Sequence, residues 1–277
     1  MTEAPTTAPR VSAIVPVFNN GVYVARAIDS LLTQTFAELE IIVVDDGSSD
    51  NTAEVIDGYA RRETRVRALH QENAGQSAAR NRAIAASRGE YLAILDSDDV
   101  AVPDRLEKQV AYLDSHPLVG AVSGRMVMME RDEHKRPDVF HYPTRPWDVR
   151  WWMFRVPTIN HSAATLRRSV IEKIGGYRTA FDVVADVDLF LRVSDHAELA
   201  TLPDVLVYCR SHPNRITAKH HARQLVMNRV AIELAHSRVR GHRDAIPEGL
   251  FINAATLDRL GLDPDQLDRL RPLFAEG

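Results

Sequence analysis

Four short apolar runs, each ending in a cluster of polar residues, constrain this chain more than any other feature. Val11–Val17, Glu40–Asp45, Val66–His70 and Glu90–Leu95 are rich in Val, Ile and Leu and are flanked by turn residues. Strands of this kind belong in a parallel sheet covered on both faces. Helical patterns lie between them. Tyr23–Thr33 puts Ala27, Ile28, Leu31 and Leu32 on one face, Thr52–Arg62 follows, and Gln76–Ser87 stops at Gly89. Strands alternating with helices of this length predict βαβ units in a doubly wound, mostly parallel α/β sheet. With 45% hydrophobic residues in 277, the chain can bury a sizeable core.

The rhythm changes after Asp99. Pro103 suits the first turn of a helix to about Ser115, and Val119–Met129 reads as a pair of strands. Glu130–Pro146 reads as a charged surface loop. Trp147–Arg155 holds three tryptophans in a chain with only 6% aromatics. Val183–His196 is helical, Leu199–Tyr208 is a final strand, and His220–Arg240 is a long amphipathic helix before a weakly patterned tail. The expected organisation is a disordered 1–10, one domain over 11–216 with halves at 11–99 and 100–216, and a helical extension over 217–277. The net charge of −4 gives no electrostatic reason for nucleic-acid binding. The lone Cys209 rules out an internal disulfide and suits a reducing compartment. No signal sequence opens the chain, and no apolar run approaches the ~20 residues of a membrane helix. A soluble, cytoplasmic protein is expected.

Chemistry-bearing residues gather where the parallel strands end, which is where open α/β sheets bind ligands. The first strand runs into Pro16-Val17-Phe18-Asn19, the second into Asp45-Asp46-Gly47-Ser48. The third is followed by Asn73-Ala74-Gly75, the fourth by Asp96-Ser97-Asp98-Asp99. Carboxylates at the end of an apolar strand are costly to leave unpaired, so they call for a cation or a hydrogen-bonding ligand. Hard divalent ions prefer such oxygen donors, often shared with a phosphate. Each turn alone has a plain alternative: Asp98 or Asp99 capping the helix near Pro103, and Asp45-Asp46 forming a turn with an N-cap. Two such turns together favour a ligand site.

In order, Val11–Asn19, Val43–Thr52, Asn73–Asn81, Leu95–Asp99 and Asp186–Arg192 resemble five motifs of the family 2 glycosyltransferases, including bacterial spore-coat-type and related single-transfer enzymes. The resemblance runs from about Val11 to Ile216. It implies the GT-A fold, with a nucleotide-sugar-binding half and an acceptor-binding half, and inverting, metal-dependent transfer of one sugar in polysaccharide or cell-envelope synthesis. Pro16, Val17, Phe18 and Asn19 would then wall the nucleotide base, with Phe18 stacking. Asp46 would accept a hydrogen bond from the base, favouring a UDP- or dTDP-sugar. Asn73, Gly75 and Arg80 would line the base or diphosphate, Asp96 would meet the ribose, and Ser97 would lie in the donor site. Asp98 would ligate Mn²⁺ or Mg²⁺, Asp99's role stays open, and His212 would complete the metal shell. Asp186 would be the catalytic base, although Ala185 stands where the family often has glutamate; Asp188 reads as structural. Asn160, His161 and Trp152 fall in the acceptor region, against which stand a polar core pair and core packing of the tryptophans.

Other classes fit less well. No Gly-x-Gly-x-x-Gly or phosphate-loop motif follows the first strand, which argues against dinucleotide enzymes and NTPases. A nucleotidyltransferase would need a glycine-rich basic loop near the N-terminus. A non-catalytic sugar-nucleotide binder would be expected to lack Asp98 or Asp186, and both are present. A processive synthase would carry membrane helices. The acceptor is a glycan, a lipid-linked or a small-molecule hydroxyl. The helix from His220, with Leu225, Val226, Val230, Ile232 and Leu234, has three candidate tasks: covering the acceptor, touching the inner face of a membrane, or forming a homodimer.

Overall fold

The computed structural model describes residues 8–130, 133–134, 143–156, 158–211, 220–242, 244, 246–247 and 249–274. The first half follows the sequence pattern to within a residue or two: β1 (Val11–Val17), α1 (Gly21–Leu32), β2 (Leu39–Asp45), α2 (Thr52–Arg62), β3 (Val66–His70), α3 (Gln76–Ala86) and β4 (Tyr91–Ile94). These strands pair in parallel in the order β3-β2-β1-β4. The chain therefore winds outward from β1 to β3 and then crosses to the other side of β1. The carboxyl ends of β1 and β4 flank this reversal, the place where an open sheet leaves a crevice.

Beyond β4 come β5 (Val100–Ala101), α4 (Arg105–Ser115), β6 (Val119–Glu130), β7 (Glu133–His134), α5 (Pro146–Met153), β8 (Thr165–Arg167) and α6 (Arg168–Ile174). They are followed by α7 (Ala185–Val193), β9 (Glu198–Arg210), α8 (His221–Val239) and α9 (Pro264–Leu270). The sheet continues through β8, β6 and β9 to β5. β8 is antiparallel to both β4 and β6, whereas β6 and β9 run parallel.

Val119–Glu130 is one long strand rather than a pair. Its partner, β9, is distant in sequence, and three register irregularities bend the ladder between them. Within the expected loop, Glu133–His134 pairs with β6; residues 131–132 and 135–142 lie outside the described residues.

Alternation along the strands divides the core into two layers. Ile14, Ile42, Val44, Leu92 and Ile94 face one cluster, while Ala13, Val15, Ile41, Val43 and Ala93 face the other. The first cluster also takes in Met227, Val230, Ile232 and Leu234 of α8. The apolar side of this helix is thus spent on the chain's own core, against α7. Of the five apolar residues read from the sequence, Leu225 stays well exposed at 59% and Val226 is half-buried, and Val239 at the end of the helix is exposed as well.

The weakly patterned tail is also folded. Asn253 and Thr256 cap a 3-10 turn reciprocally, and Asp263 and Gln266 do the same for α9. Two buried acids fasten these late elements. Glu233 of α8 receives Arg229, Gln266 and Arg269. Asp188 sits between Arg178 and Arg192, and Asp244 bridges Arg178 to Arg238. The neighbouring guanidiniums outweigh burial and hold the Asp188 carboxyl below its usual 3.8. Asp188→Ala would strip the buried Arg192 of its carboxylate and leave Arg178 with Asp244 alone, and should lower stability by about 3–5 kcal/mol. A depressed folded-state pKa stabilises above the unfolded value and fades as pH falls through the folded one. The difference between wild type and variant should therefore be constant from neutral pH down to about pH 5 and shrink below 3.8, as measured by urea unfolding at each pH.

Candidate active site

The loops after β1 and β2 are laced together by side chains. Asn19, at φ +47, is the one non-glycine residue in left-handed backbone among the described residues. Its side-chain oxygen accepts the Ser49 N–H at 2.7 Å, and its own N–H donates to Ser48 Oγ at 2.8 Å. Asn20 reaches across to the fourth strand end, donating from Nδ2 to Ser97 Oγ at 2.8 Å. The first turn of α1 is closed by the second loop: the Gly21 N–H donates to Asp50, a favourable carboxylate at a helix N-terminus. Of the wall expected from Pro16 to Asn19, Pro16 and Val17 are buried within β1, and Phe18 and Asn19 reach the surface.

Asp46 is buried, and its carboxylate accepts from Gln71 Nε2 at 2.7 Å, Ala74 N at 2.9 Å and Gly75 N at 2.9 Å. Three of its roughly four acceptor positions are filled, so its first task is to shape the loop ahead of α3. Gly75, at φ +88, then opens that helix, with Asn73 exposed beside it. Gly47 is required at φ +76, where a Cβ would lie 2.8 Å from the Asn73 nitrogen. Asp45 takes a different role, accepting from Ser48 N at 3.0 Å and meeting His70 Nδ1 at 3.2 Å.

The Asp96–Asp99 turn does not cap the next helix; Asp104 holds the N-cap position of α4. Arg80 of α3 donates from Nη2 to Asp96 Oδ1 at 2.9 Å, and the Asp96 N–H donates to Ser162 Oγ at 3.0 Å. Arg210, at the end of β9, donates its backbone N–H to Asp99 Oδ1 at 3.1 Å and its Nε to the Asp98 carbonyl at 3.2 Å. Arg105 lies fully buried nearby, with its Nη2 on the Ile94 and Ala164 carbonyls. Burial, and then repulsion from Asp98 and Asp96, pushes the Asp99 carboxyl up to about 7. Among the described residues no three His, Cys, Asp or Glu side chains form a metal cage, and His212 lies outside the described residues.

Asp186 occupies the first turn of α7, behind Val184 at the N-cap position. Burial raises its carboxyl above 3.8, opposed by the first-turn N–H groups and by the Arg80 charge. Arg80 thus acts on both Asp186 and Asp96, which come from opposite halves of the chain. Around them stand Tyr177 and His161: the Tyr177 hydroxyl meets His161 Nε2 at 2.8 Å, and the Arg80 guanidinium lies 5.6 Å from the Tyr177 ring centre. Burial and the Arg80 charge press His161 down to about 3, so it is neutral at physiological pH. Asn81 grips the Tyr177 backbone at both N–H and C=O, each at 2.8 Å.

The two other acceptor-region candidates have different surroundings. Asn160 is buried and donates from Nδ2 to the Gly124 carbonyl at 2.6 Å, which ties it to β6. Trp152 is exposed, as are Trp147 and Trp151, so none of the three is core packing. Trp147 and Trp151 border the C-terminal ends of α7 and α8, whereas Asp186 is at the other end of α7, roughly 12 Å along the axis. Arg210, Ser162 and the Asn81–Tyr177 clasp were not singled out from sequence. Arg210 stands two residues before His212 and Asn81 closes the third motif, so both lay within recognised segments; Ser162 and Tyr177 carried no signal.

Residues 12–175 match glycosyl transferase family 2. The chain belongs to this family. It is 41% identical over 114 residues to the glycosyltransferase GlyG of Streptococcus pneumoniae, covering 40% of this chain and 38% of that one. It is 30% identical over 213 residues to an uncharacterised glycosyltransferase of Nostoc, covering 73% and 65%. The chain spans 38% or less of the length of the first curated relatives it matches. In fold it is similar to TarS of Staphylococcus aureus in complex with UDP-GlcNAc, with a TM-score of 0.65 at 20% identity over 80% of this chain and 66% of that one. It is likewise similar to the mannosyltransferase PcManGT of Pyrobaculum calidifontis in complex with GDP-Man and Mn²⁺, with a TM-score of 0.62 at 23% identity over 98% and 74%. These likenesses show a GT-A-type fold.

The Asp46 clamp gives a direct expectation. Asp46→Asn replaces one acceptor oxygen with a donor facing N–H groups, a loss of about 1–3 kcal/mol locally. Amide exchange at Ala74 and Gly75 should accelerate about five- to 150-fold by the same arithmetic, with the β1 and β4 amides unchanged.

Proposed function

We propose that this protein transfers a single sugar, with inversion, from a nucleotide-sugar donor to an acceptor hydroxyl. The observation that carries the reading is the convergence of Asp186, at the start of α7, and the Asp96–Asp99 turn on one guanidinium, Arg80. Asp186 removes the acceptor proton as the acceptor oxygen attacks the anomeric carbon. The bond from that carbon to the diphosphate oxygen breaks, and the nucleoside diphosphate leaves with the electron pair. The raised carboxyl makes Asp186 a stronger base than an ordinary aspartate, and Asp96 faces the ribose.

An all-oxygen cluster under mutual repulsion, as on the Asp96–Asp99 turn, fits Mn²⁺ or Mg²⁺. Asp98 would hold the ion, with Asp99 beside it and His212 as the further ligand suggested by sequence. Bound there, the ion supplies charge neutralisation for the diphosphate. One lone pair left on Asp46 suits the single N–H of uracil or thymine, so a UDP- or dTDP-sugar is the favoured donor. The complexes of the two fold neighbours contain UDP-GlcNAc and GDP-Man, so a thermal-shift panel with Mn²⁺ and several sugar nucleotides is the first measurement to make. Residues 11–99 would be the donor half and 100–216 the acceptor half.

Asp98→Asn and Asp186→Asn should each reduce transfer at least about 100-fold while melting within a few degrees of wild type. Full transfer by either purified variant removes the corresponding role. Chelation should abolish transfer, and Mn²⁺ or Mg²⁺ should restore it. Because the base must be deprotonated, kcat/KM should rise with pH through the raised Asp186 value. Arg80 lowers that value, so Arg80→Met should move the acidic limb to higher pH.

A further inference from the structure

Ten large hydrophobic side chains stay exposed among the described residues, and six of them, Leu118, Trp147, Trp151, Trp152, Val156 and Val239, gather in one region. Trp147 links the Leu118 side to a groove it shares with Trp151 and Val239. Trp152 packs edge-on to Trp151 at 5.0 Å, and the Val156 N–H donates to the Trp152 carbonyl. A contiguous apolar surface of this kind on a folded domain marks a place where something docks.

The charges around it select the partner. Arg150 and Arg155 line the groove and no carboxylate does. The Arg155 guanidinium lies 3.5 Å from the Trp151 ring centre. Arg145 is exposed at the start of α5, and Asp148 is the one acid between residues 145 and 156. Asp195 and Glu198 border the flank beyond Trp147, and Asp195 and Asp244 lie between Arg150 and Val239, both of them paired with Arg238. Trp147 is 77% exposed, so it projects from a short helix instead of lining a deep cavity. Projecting tryptophans interleaved with arginines suit the headgroup layer of a bilayer, where indole rings sit at the apolar–polar boundary and guanidiniums meet phosphates. The chain as a whole carries −4, so the attraction is local and acts over about a Debye length, ~8 Å at physiological salt.

We propose that α5, with Leu118 and Val239 beside it, is a peripheral docking surface for membranes bearing anionic lipid headgroups. The inference does not depend on the transferase reading, since the patch lies away from Asp186 and no donor is needed for it to act. No helix among the described residues is long and apolar enough to cross a membrane, so attachment by this surface would be reversible.

All three tryptophans of the chain are in the patch, so intrinsic tryptophan fluorescence reports on it alone. Vesicles of phosphatidylcholine with phosphatidylglycerol should shift the emission to the blue, and brominated acyl chains should quench it; pure phosphatidylcholine should do much less. Raising salt should reverse the change. Arg150→Ala with Arg155→Ala should weaken partitioning roughly thirty-fold, about a factor of five per arginine, and Trp147→Ser should weaken it further. Thermal melting of each variant checks folding. Three outcomes overturn the proposal: no spectral change with anionic vesicles, equal binding by the folded arginine variant, or a vesicle-independent blue shift. The last could come with self-association in sedimentation or with a soluble oligosaccharide, and would assign the patch to a second copy or to a glycan.

Discussion

Crowding of acidic groups at the carboxyl ends of β2 and β4 is the constraint that the remaining architecture answers. Carboxylates cannot be left at the edge of an apolar sheet without partners, and the partners come from every layer of the fold. Arg80 arrives from α3, Arg210 from the far end of β9 and Ser162 from the loop before β8, and Arg105 of α4 adds a buried positive charge nearby. Long-range topology is therefore read out at one turn: β9 must lie beside β6 and β5 for the Arg210 backbone to reach Asp99. Burial and the neighbouring Asp98 and Asp96 nevertheless raise the Asp99 carboxyl, against the hydrogen bonds from Ser162 and the Arg210 N–H.

The loops after β1 and β2 follow the same pattern. Asp46, Asn19 and Asn20 fold the strand-end loops by bonding them to one another, and Phe18 and Asn73 are left exposed beside them. Under the proposed function, folding and recognition would draw on the same side chains. A substitution at Asp46 or Asn19 therefore cannot be interpreted through binding alone.

The first four strands were legible because each is a short apolar run ended by polar residues, and their helices carry a 3.6-residue period with clear stops. The second half was harder for definable reasons. β6 is a single long strand whose irregular register with β9 breaks strict alternation. The tail relies on brief capped turns too short to show periodicity. α8 has a weak stripe because a charged residue, Glu233, is buried within it and satisfied by Arg229 and Arg269. At the site, side chains lying within motifs were found, whereas Ser162 and Tyr177 were not, because their importance comes from what the fold brings beside them. Asn160 shows the converse: a polar residue in the expected region whose amide is consumed by the Gly124 carbonyl.

The Asn81 clasp has a mechanical meaning. It pins α3 to the Gly175–Tyr177 segment by two hydrogen bonds, while the sheet itself crosses without interruption from β4 through β8 to β6. Gly176, at φ +73, has no room for a Cβ against the Asn81 oxygen, 2.6 Å away, so the seam tolerates no bulk. Two halves joined by a shared sheet and a backbone clasp cannot swing apart like jaws on a hinge. The scaffold beneath the crevice therefore behaves as one rigid piece.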